Sequence, residues 1–251
     1  MIAREAAAAL ARGVLDLVFA PVCLGCDEPI STSSPERLVC RACWSRMREL
    51  PVPRCDRCWT PKLAMRESCP ACDTLPPYLR CVRSAFLMDG PARKLVHALK
   101  YGGWRAVAHE MGRRMAALPL PLEVREEVRC AVPVPLSRVR LRARGYNQAE
   151  MLGTALARAK GWRDGSGILE RTRATDSQTA LHPTERRANV AGAFRVRAGR
   201  EATLRREHVL LVDDVWTTGA TALACAAALT AAGARAVSVI TFARALPDRK
   251  L

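Results

Sequence analysis

Hydrophobic and polar positions along the chain fall into two regimes that meet at Pro76 and Pro77. Beyond those prolines, short apolar runs alternate with stretches of helical periodicity, the pattern of an α/β architecture. Residues 82–88 read as a strand, and 91–99 open a helix that Gly102 and Gly103 stop. A second helix is expected over 106–118, a short buried strand ended by Pro135 over 130–134, a helix over 149–160 and a weaker strand over 168–171. Residues 172–191 read as irregular. Residues 209–212 form a fully apolar strand, 218–232 an alanine-rich helix and 236–242 another strand. A strand apolar on both faces, followed by helix and strand, is a βαβ unit, so the central sheet is expected to be parallel.

The first twenty residues differ. Residues 6–20 read as an amphipathic helix, and Arg12 and Asp16 interrupt the apolar stretch, which argues against a secretory leader and against a membrane span. No other stretch is long enough to cross a bilayer, and a cytoplasmic protein is expected.

Between that helix and the prolines, cysteine spacing takes over from hydropathy. Eight of the eleven cysteines form four C-x-x-C pairs: Cys23/Cys26, Cys40/Cys43, Cys55/Cys58 and Cys69/Cys72. A two-residue gap lets both sulfurs of one turn face a single ion, and two pairs complete a tetrahedral four-thiolate site. Pairing neighbours in sequence closes short loops, whereas an interleaved arrangement needs a cross-braced fold. Two consecutive zinc ribbons are therefore expected, with Zn2+ structural at both sites; an iron–sulfur cluster is the alternative that accepts the same ligands. Cys81, Cys130 and Cys225 lack paired partners and are assigned to core packing.

Composition adds one constraint. With 251 residues and 49% hydrophobic positions the chain can bury a sizeable core, but 40 Lys and Arg against 24 Asp and Glu give a net charge of +16. Such a field attracts phosphorylated ligands and nucleic acid alike. Arg41, Arg46, Arg48, Arg54 and Arg57 surround the cysteine knuckles, as a nucleic-acid contact or as solvated side chains.

The most specific chemistry lies at residues 209–221. The apolar strand delivers Asp213 and Asp214 to its carboxyl end, where open α/β sheets bind ligands. Carboxylates repel phosphate and accept hydrogen bonds from hydroxyls, so ribose hydroxyls suit them, with magnesium nearby. Thr217, Thr218, Gly219, Ala220 and Thr221 then turn the chain into a helix, offering unpaired N–H groups and hydroxyls to one anion, a 5-phosphate.

This segment resembles the 5-phosphoribosyl 1-pyrophosphate motif of type I phosphoribosyltransferases, and residues 21–244 resemble the ComF family. The likeness also rests on Leu99, Lys100, Tyr101 and Gly102; on Pro133, Val134, Pro135 and Leu136 with Arg140, Arg144, Gly145, Asn147 and Gln148; and on Arg173, Thr175, Gln178, Arg186, Asn189 and Phe194. Ser137 and Arg138 stand where many members carry His-Pro. The resemblance implies an α/β type I phosphoribosyltransferase fold behind a small zinc-ribbon domain. The expected division is an N-terminal helix over 1–20, a double zinc ribbon over 21–78 and a phosphoribosyltransferase-like domain over 79–251.

Arg138, Arg140, Arg142 and Arg144 recur at every second position, so in an extended loop all four face one anion; by resemblance that loop takes the pyrophosphate, and a solvated arginine face or a nucleic-acid strip is the alternative. Residues 171–194, long and polar, resemble a flexible catalytic lid, with an ordinary surface loop as the alternative. His97, His109, His182 and His208 lack clustered partners and receive no catalytic role.

The leading expectation is Mg2+-dependent phosphoribosyl transfer, with Asp213 and Asp214 catalytic. Thr217, Thr218, Gly219, Ala220, Thr221, Arg140, Arg144, Lys100 and Arg173 bind the substrate, and a hood over 82–104 chooses the acceptor. The family resemblance also implies a role in DNA uptake, with single-stranded DNA and a DNA-uptake helicase as partners.

Overall fold

The computed structural model describes residues 21–31, 37–62, 68–173, 190 and 192–246. The helix expected over 6–20, His182, and most of segment 172–191, including Thr175, Gln178, Arg186 and Asn189, lie outside the described residues.

The cysteine-rich segment contributes two short helices, α1 (Arg41–Arg46) and α2 (Pro70–Asp73). There follow β1 (Leu79–Leu87), α3 (Gly90–Tyr101), α4 (Val107–Ala116), α5 (Leu122–Glu127), β2 (Cys130–Pro133), α6 (Arg138–Arg144), α7 (Gln148–Lys160), β3 (Arg163–Asp164), β4 (Leu169–Arg171), β5 (Phe194–Val196), β6 (His208–Trp216), α8 (Ala220–Ala231) and β7 (Ala236–Arg244).

Five strands form one sheet in the order β1-β7-β6-β2-β3, every pair parallel. Side chains alternate across it. Leu210 and Val212 of β6 pack into a core with α3, α4 and α7, while Val209 and Leu211 pack into a second core with α8. A strand buried on both faces has no room for a polar alternation, which is why the run over 209–212 is wholly apolar. The result is the central parallel sheet flanked by helices that the motifs imply.

The structure extends one strand, places another and corrects one loop. The strand read as 209–212 runs on to Trp216, so Asp213 and Asp214 belong to its last turns of pleat. The strand over 168–171 stays out of the main sheet and pairs antiparallel with β5, closing the base of the 172–193 segment. Residues 138–144 are helical, not extended. Ser137 Oγ accepts from Arg140 N at 3.3 Å as an N-cap, arginine and leucine are good helix formers, and Gly145 at φ +78° ends the helix.

The ribbon is welded to the sheet. Edge strand β1 donates from Leu87 N to Arg48 O (2.7 Å) and from Val82 N to Arg57 O (2.9 Å), so the cysteine segment covers an edge that would otherwise be open. Trp44 packs against Phe86 and Phe242, and Cys23, Val39 and Met47 share the core of α3 and α4. Cys81, Cys130 and Cys225 are fully buried, as assigned.

Candidate functional site

Chain connections decide where a ligand fits. From β2 the chain moves outward to β3, while from β6 it moves the other way to β7, so the two connections diverge between β2 and β6. That divergence opens a crevice at the carboxyl ends of the two strands, the usual ligand position in open parallel sheets. A cavity of about 310 Å³ lies there, at the lower end of the roughly 300–1,000 Å³ of small-molecule sites.

Its floor and walls bring together residues far apart in sequence: Asp213, Asp214, Thr217, Gly219, Ala220 and Thr221 from the β6–α8 turn, Lys100 from the last turn of α3, and Arg140 from α6. Thr218 caps the turn by accepting from Ala220 N at 3.4 Å. The two aspartates follow the strand's alternation onto opposite faces. Asp214 turns to α3, where Lys100 Nζ lies 3.0 Å from its Oδ2, although that buried oxygen receives no well-directed hydrogen bond. Asp213 turns toward α8, where its charge adds to burial in pushing the Cys225 thiol upward. Burial, and then the neighbouring Asp214, raise Asp213 to about 7, and Lys100 offsets only part of this. Burial acts against the charge on Lys100, yet the two aspartates outweigh it and raise its pKa.

Gly219 is dictated twice over. Its φ is +77°, and a Cβ there would stand 2.4 Å from the Trp216 ring. The indole thus closes down on the turn that starts α8.

Arg144 does not line this cavity. In a helix, residues two apart point to different sides, and Arg144 donates to Gln148 Oε1 while its guanidinium lies 5.3 Å over Tyr101. Arg173 lines a second cavity of about 480 Å³, which shares Pro135, Leu136 and Arg171 with the first. Arg171 and Gln148 are among the cavity residues that escaped the sequence reading. Arg171 was only a segment boundary, and its position at the end of β4 comes from the hairpin; burial, then the Arg140 charge, lower its pKa. Gln148 counted toward the family likeness but not toward the site, although its place directly after the N-cap Asn147 marks it as facing the β2 loop. Asn147 pins that loop by donating to Val134 O at 3.0 Å.

The cysteines assemble as sequential pairs. The sulfurs of Cys23, Cys26, Cys40 and Cys43 lie within 4.8 Å of one another, as do those of Cys55, Cys58, Cys69 and Cys72. Cys26–Cys40, Cys55–Cys72 and Cys58–Cys69 separations of 3.8, 3.5 and 3.7 Å match the edge of about 3.8 Å of a tetrahedron with Zn–S bonds of about 2.3 Å. The amides of Gly25 and Cys40 point at Cys23 Sγ from 3.3 and 3.2 Å. Burial raises Cys23, but the amides of Cys40, Gly25 and Cys26 outweigh it and bring it to about 7, while burial and its fellow sulfurs push Cys43 up to about 12. Four crowded sulfurs cannot all ionise unless a cation balances them, and zinc fits both the chemistry and the spacing.

The knuckle arginines are largely engaged within the protein. Arg46 donates to Cys43 Sγ, Arg48 pairs with Asp89, Arg54 lies 3.8 Å over Trp59, and Arg57 donates to the carbonyls of Pro76 and Leu79. His208, read as lacking partners, meets Glu127 Oε2 through Nδ1 at 2.8 Å and Ser238 Oγ through Nε2 at 2.9 Å. The order resembles a hydrolase relay, but His208 and Ser238 are buried at the amino ends of β6 and β7, far from the crevice.

Residues 14–73 match the family model of the double zinc ribbon domain. A DNA utilization protein, YhgH, of Salmonella typhi is 31% identical over 235 residues, covering 90% of this chain and 97% of that protein. The YhgH protein of Escherichia coli K12 is 32% identical over 219 residues, covering 83% and 91%. Competence protein F of Haemophilus influenzae is 37% identical over 115 residues, covering 45% and 49%. No described helix is long and apolar enough to cross a membrane. With the double zinc ribbon matched and with relatives aligned nearly end to end, the chain belongs to the ComF family.

Proposed function

We propose that the crevice between β2 and β6 binds 5-phosphoribosyl 1-pyrophosphate and supports transfer of its phosphoribosyl group to an acceptor. The observation that carries this reading is the joint placement of Asp213 and Asp214 with the start of α8 in one cavity. The carboxylates suit the ribose hydroxyls, and the amides of the turn suit the 5-phosphate. Lys100, Arg140 and Arg171 supply positive charge where a departing pyrophosphate gathers negative charge. Arg173 in the adjoining cavity, and Arg144 through Gln148, support that wall from behind. Magnesium enters this reading with the diphosphate; when bound, it would neutralise the phosphate oxygens. The hood is then β1 and α3, and the domain division at about residue 79 separates the ribbon from the transferase part.

Titration calorimetry with the sugar diphosphate and magnesium tests the reading. Saturable heat in the wild type that disappears in Asp213→Asn/Asp214→Asn is expected, whereas equal heats in both rule out this site. Pyrophosphate release with candidate bases and amines then separates transfer from binding alone.

A second reading is a DNA-handling accessory, as the names of the relatives suggest, with the sugar diphosphate as a signal and a helicase as a partner. The net charge of +16 and the exposure of Tyr101 (68%) and Trp104 (48%) beside Lys100 favour it. Fluorescence anisotropy with single-stranded oligonucleotides should show binding that weakens steeply with salt; no binding at low salt rejects it.

A further inference from the structure

The second cysteine site and the ligand turn touch the same side chain. Arg244, the last residue of β7, is 7% exposed. Its Nη1 donates to Cys58 O at 2.5 Å and its Nη2 to Thr60 Oγ1 at 2.9 Å, so the guanidinium fork grips the second knuckle from inside the protein. Thr60 Oγ1 in turn lies 3.1 Å from Cys58 Sγ, within reach of a thiolate. Arg244 stands opposite Trp216 in the β6–β7 register, and its guanidinium lies 5.6 Å from the centre of the indole. That indole closes on Gly219. A continuous line of contacts therefore joins Cys58, Arg244, Trp216 and Gly219.

The knuckle is held firmly at the other end as well. Trp59, the residue after Cys58, is sandwiched between Arg54 at 3.8 Å and the buried Arg83 at 4.7 Å, and Arg83 also donates to Arg57 O at 3.2 Å. The first cysteine site has a different anchorage, on Trp44 and the core of α3 and α4, a core that meets β6 at Val215, whereas the Trp216 indole packs into the core on the other face of the sheet. The two metal sites are thus not equivalent with respect to the crevice.

From this we infer that Arg244 is a positioning residue through which the second four-cysteine site sets the conformation of the Trp216–Thr221 turn, and with it the affinity for the 5-phosphate. The effect on affinity rests on the proposed ligand; the effect on the turn does not. When the second site loses its metal, the Cys58 carbonyl and Thr60 no longer stand where the guanidinium needs them, Arg244 is released from the indole, and the turn over Gly219 loosens. Emptying the first site leaves this line intact.

Amide hydrogen exchange read by mass spectrometry on the full chain tests the coupling, with zinc content measured on each sample. The variants are Cys69→Ser/Cys72→Ser for the second site, Cys26→Ser/Cys40→Ser for the first, and Arg244→Lys, which lacks the planar guanidinium fork that spans the two knuckle acceptors and faces the indole. Exchange across residues 216–221 is expected to quicken about tenfold in the second-site variant and in Arg244→Lys, the latter with both zinc ions retained, and to stay at the wild-type rate in the first-site variant. Equal acceleration in both cysteine variants indicates general loosening and overturns the inference, as does wild-type exchange in Arg244→Lys. If either cysteine variant fails to fold, Arg244→Lys decides alone. Calorimetry on the same samples should show affinity for the sugar diphosphate falling about tenfold in Arg244→Lys. Faster exchange in a protein whose wild type binds no sugar diphosphate defeats the ligand reading and leaves the coupling standing; unchanged exchange beside full wild-type binding does the reverse.

Discussion

Lys100 Nζ lies 3.0 Å from Asp214 Oδ2, across the mouth of the crevice from the turn that begins α8. Asp214 is 4% exposed, so this ion pair joins a helix end to a strand end 114 residues away and holds a charge that has almost no water. Truncating one partner of such a pair leaves the other uncompensated.

Lys100→Ala is therefore expected to lower the unfolding free energy by about 2–3 kcal/mol, below the full range for buried pairs because the lysine keeps some solvent contact. Urea denaturation at neutral pH measures this. A midpoint within error of the wild type would mean that the pair is not formed in solution.

Asp213 yields a pH dependence with a definite sign. Its pKa is raised to about 7 from the ordinary carboxylate value. Between those limits the folded protein holds a proton that the unfolded chain has released, so the unliganded protein loses stability as pH rises through the interval. Asp213→Asn removes that loss. The variant should exceed the wild type at pH ~8 by on the order of 2 kcal/mol and match it near pH ~4. A stability difference independent of pH contradicts the shifted carboxyl.

Gly219→Ala places a Cβ in a left-handed conformation that costs about 1–2 kcal/mol, and directs it at the Trp216 ring. Destabilisation of about 3 kcal/mol in total is expected, the ring contact supplying the remainder. Because the turn carries the proposed phosphate site, calorimetric affinity for the sugar diphosphate should fall more than the stability loss explains. Unaltered affinity would separate the turn from the ligand.

The cysteine sites should bring two zinc ions per chain, as read by elemental analysis, with no visible absorption band. Removal by a strong chelator is expected to unfold the ribbon, since structural zinc contributes on the order of 10 kcal/mol per site. A coloured protein containing iron and sulfide would instead select the cluster alternative.

His208→Ala strips Ser238 and Glu127 of a shared partner at the amino end of β6. With Ser238 fully buried, a loss of about 2 kcal/mol is expected and no change in ligand affinity, because the crevice lies at the other end of the strand. A loss of affinity without a loss of stability would give His208 a functional role.

Local chemistry was legible in the residues themselves. The four C-x-x-C pairs dictate two four-sulfur sites because ligand spacing within a turn is a property of a few adjacent residues, and the sequential pairing follows from short loops. The apolar run over 209–212 dictates a strand buried on both faces, and the Asp-Asp and threonine-glycine segment after it a strand-to-helix turn. Strand and helix boundaries drifted by a few residues because pairing with neighbours, as between Trp216 and Arg244, carries a strand past the end of its apolar pattern.

What joins those segments was not legible. Alternation of Arg138, Arg140, Arg142 and Arg144 suits an extended loop as well as a polar helix, and the cap from Ser137 with the stop at Gly145 settled the matter. Arg171 entered the cavity only through a hairpin, Lys100 met Asp214 only through the packing of α3, and Arg244 reached Cys58 across 186 residues. The chain by itself determined the cysteine spacing, the parallel sheet and the strand-to-helix turn after Asp214, each written in contiguous residues. The tertiary structure alone decided which charges face the crevice and which knuckle Arg244 contacts, because those depend on strand order and sheet-edge docking, and distances between remote residues have no local signature in the chain.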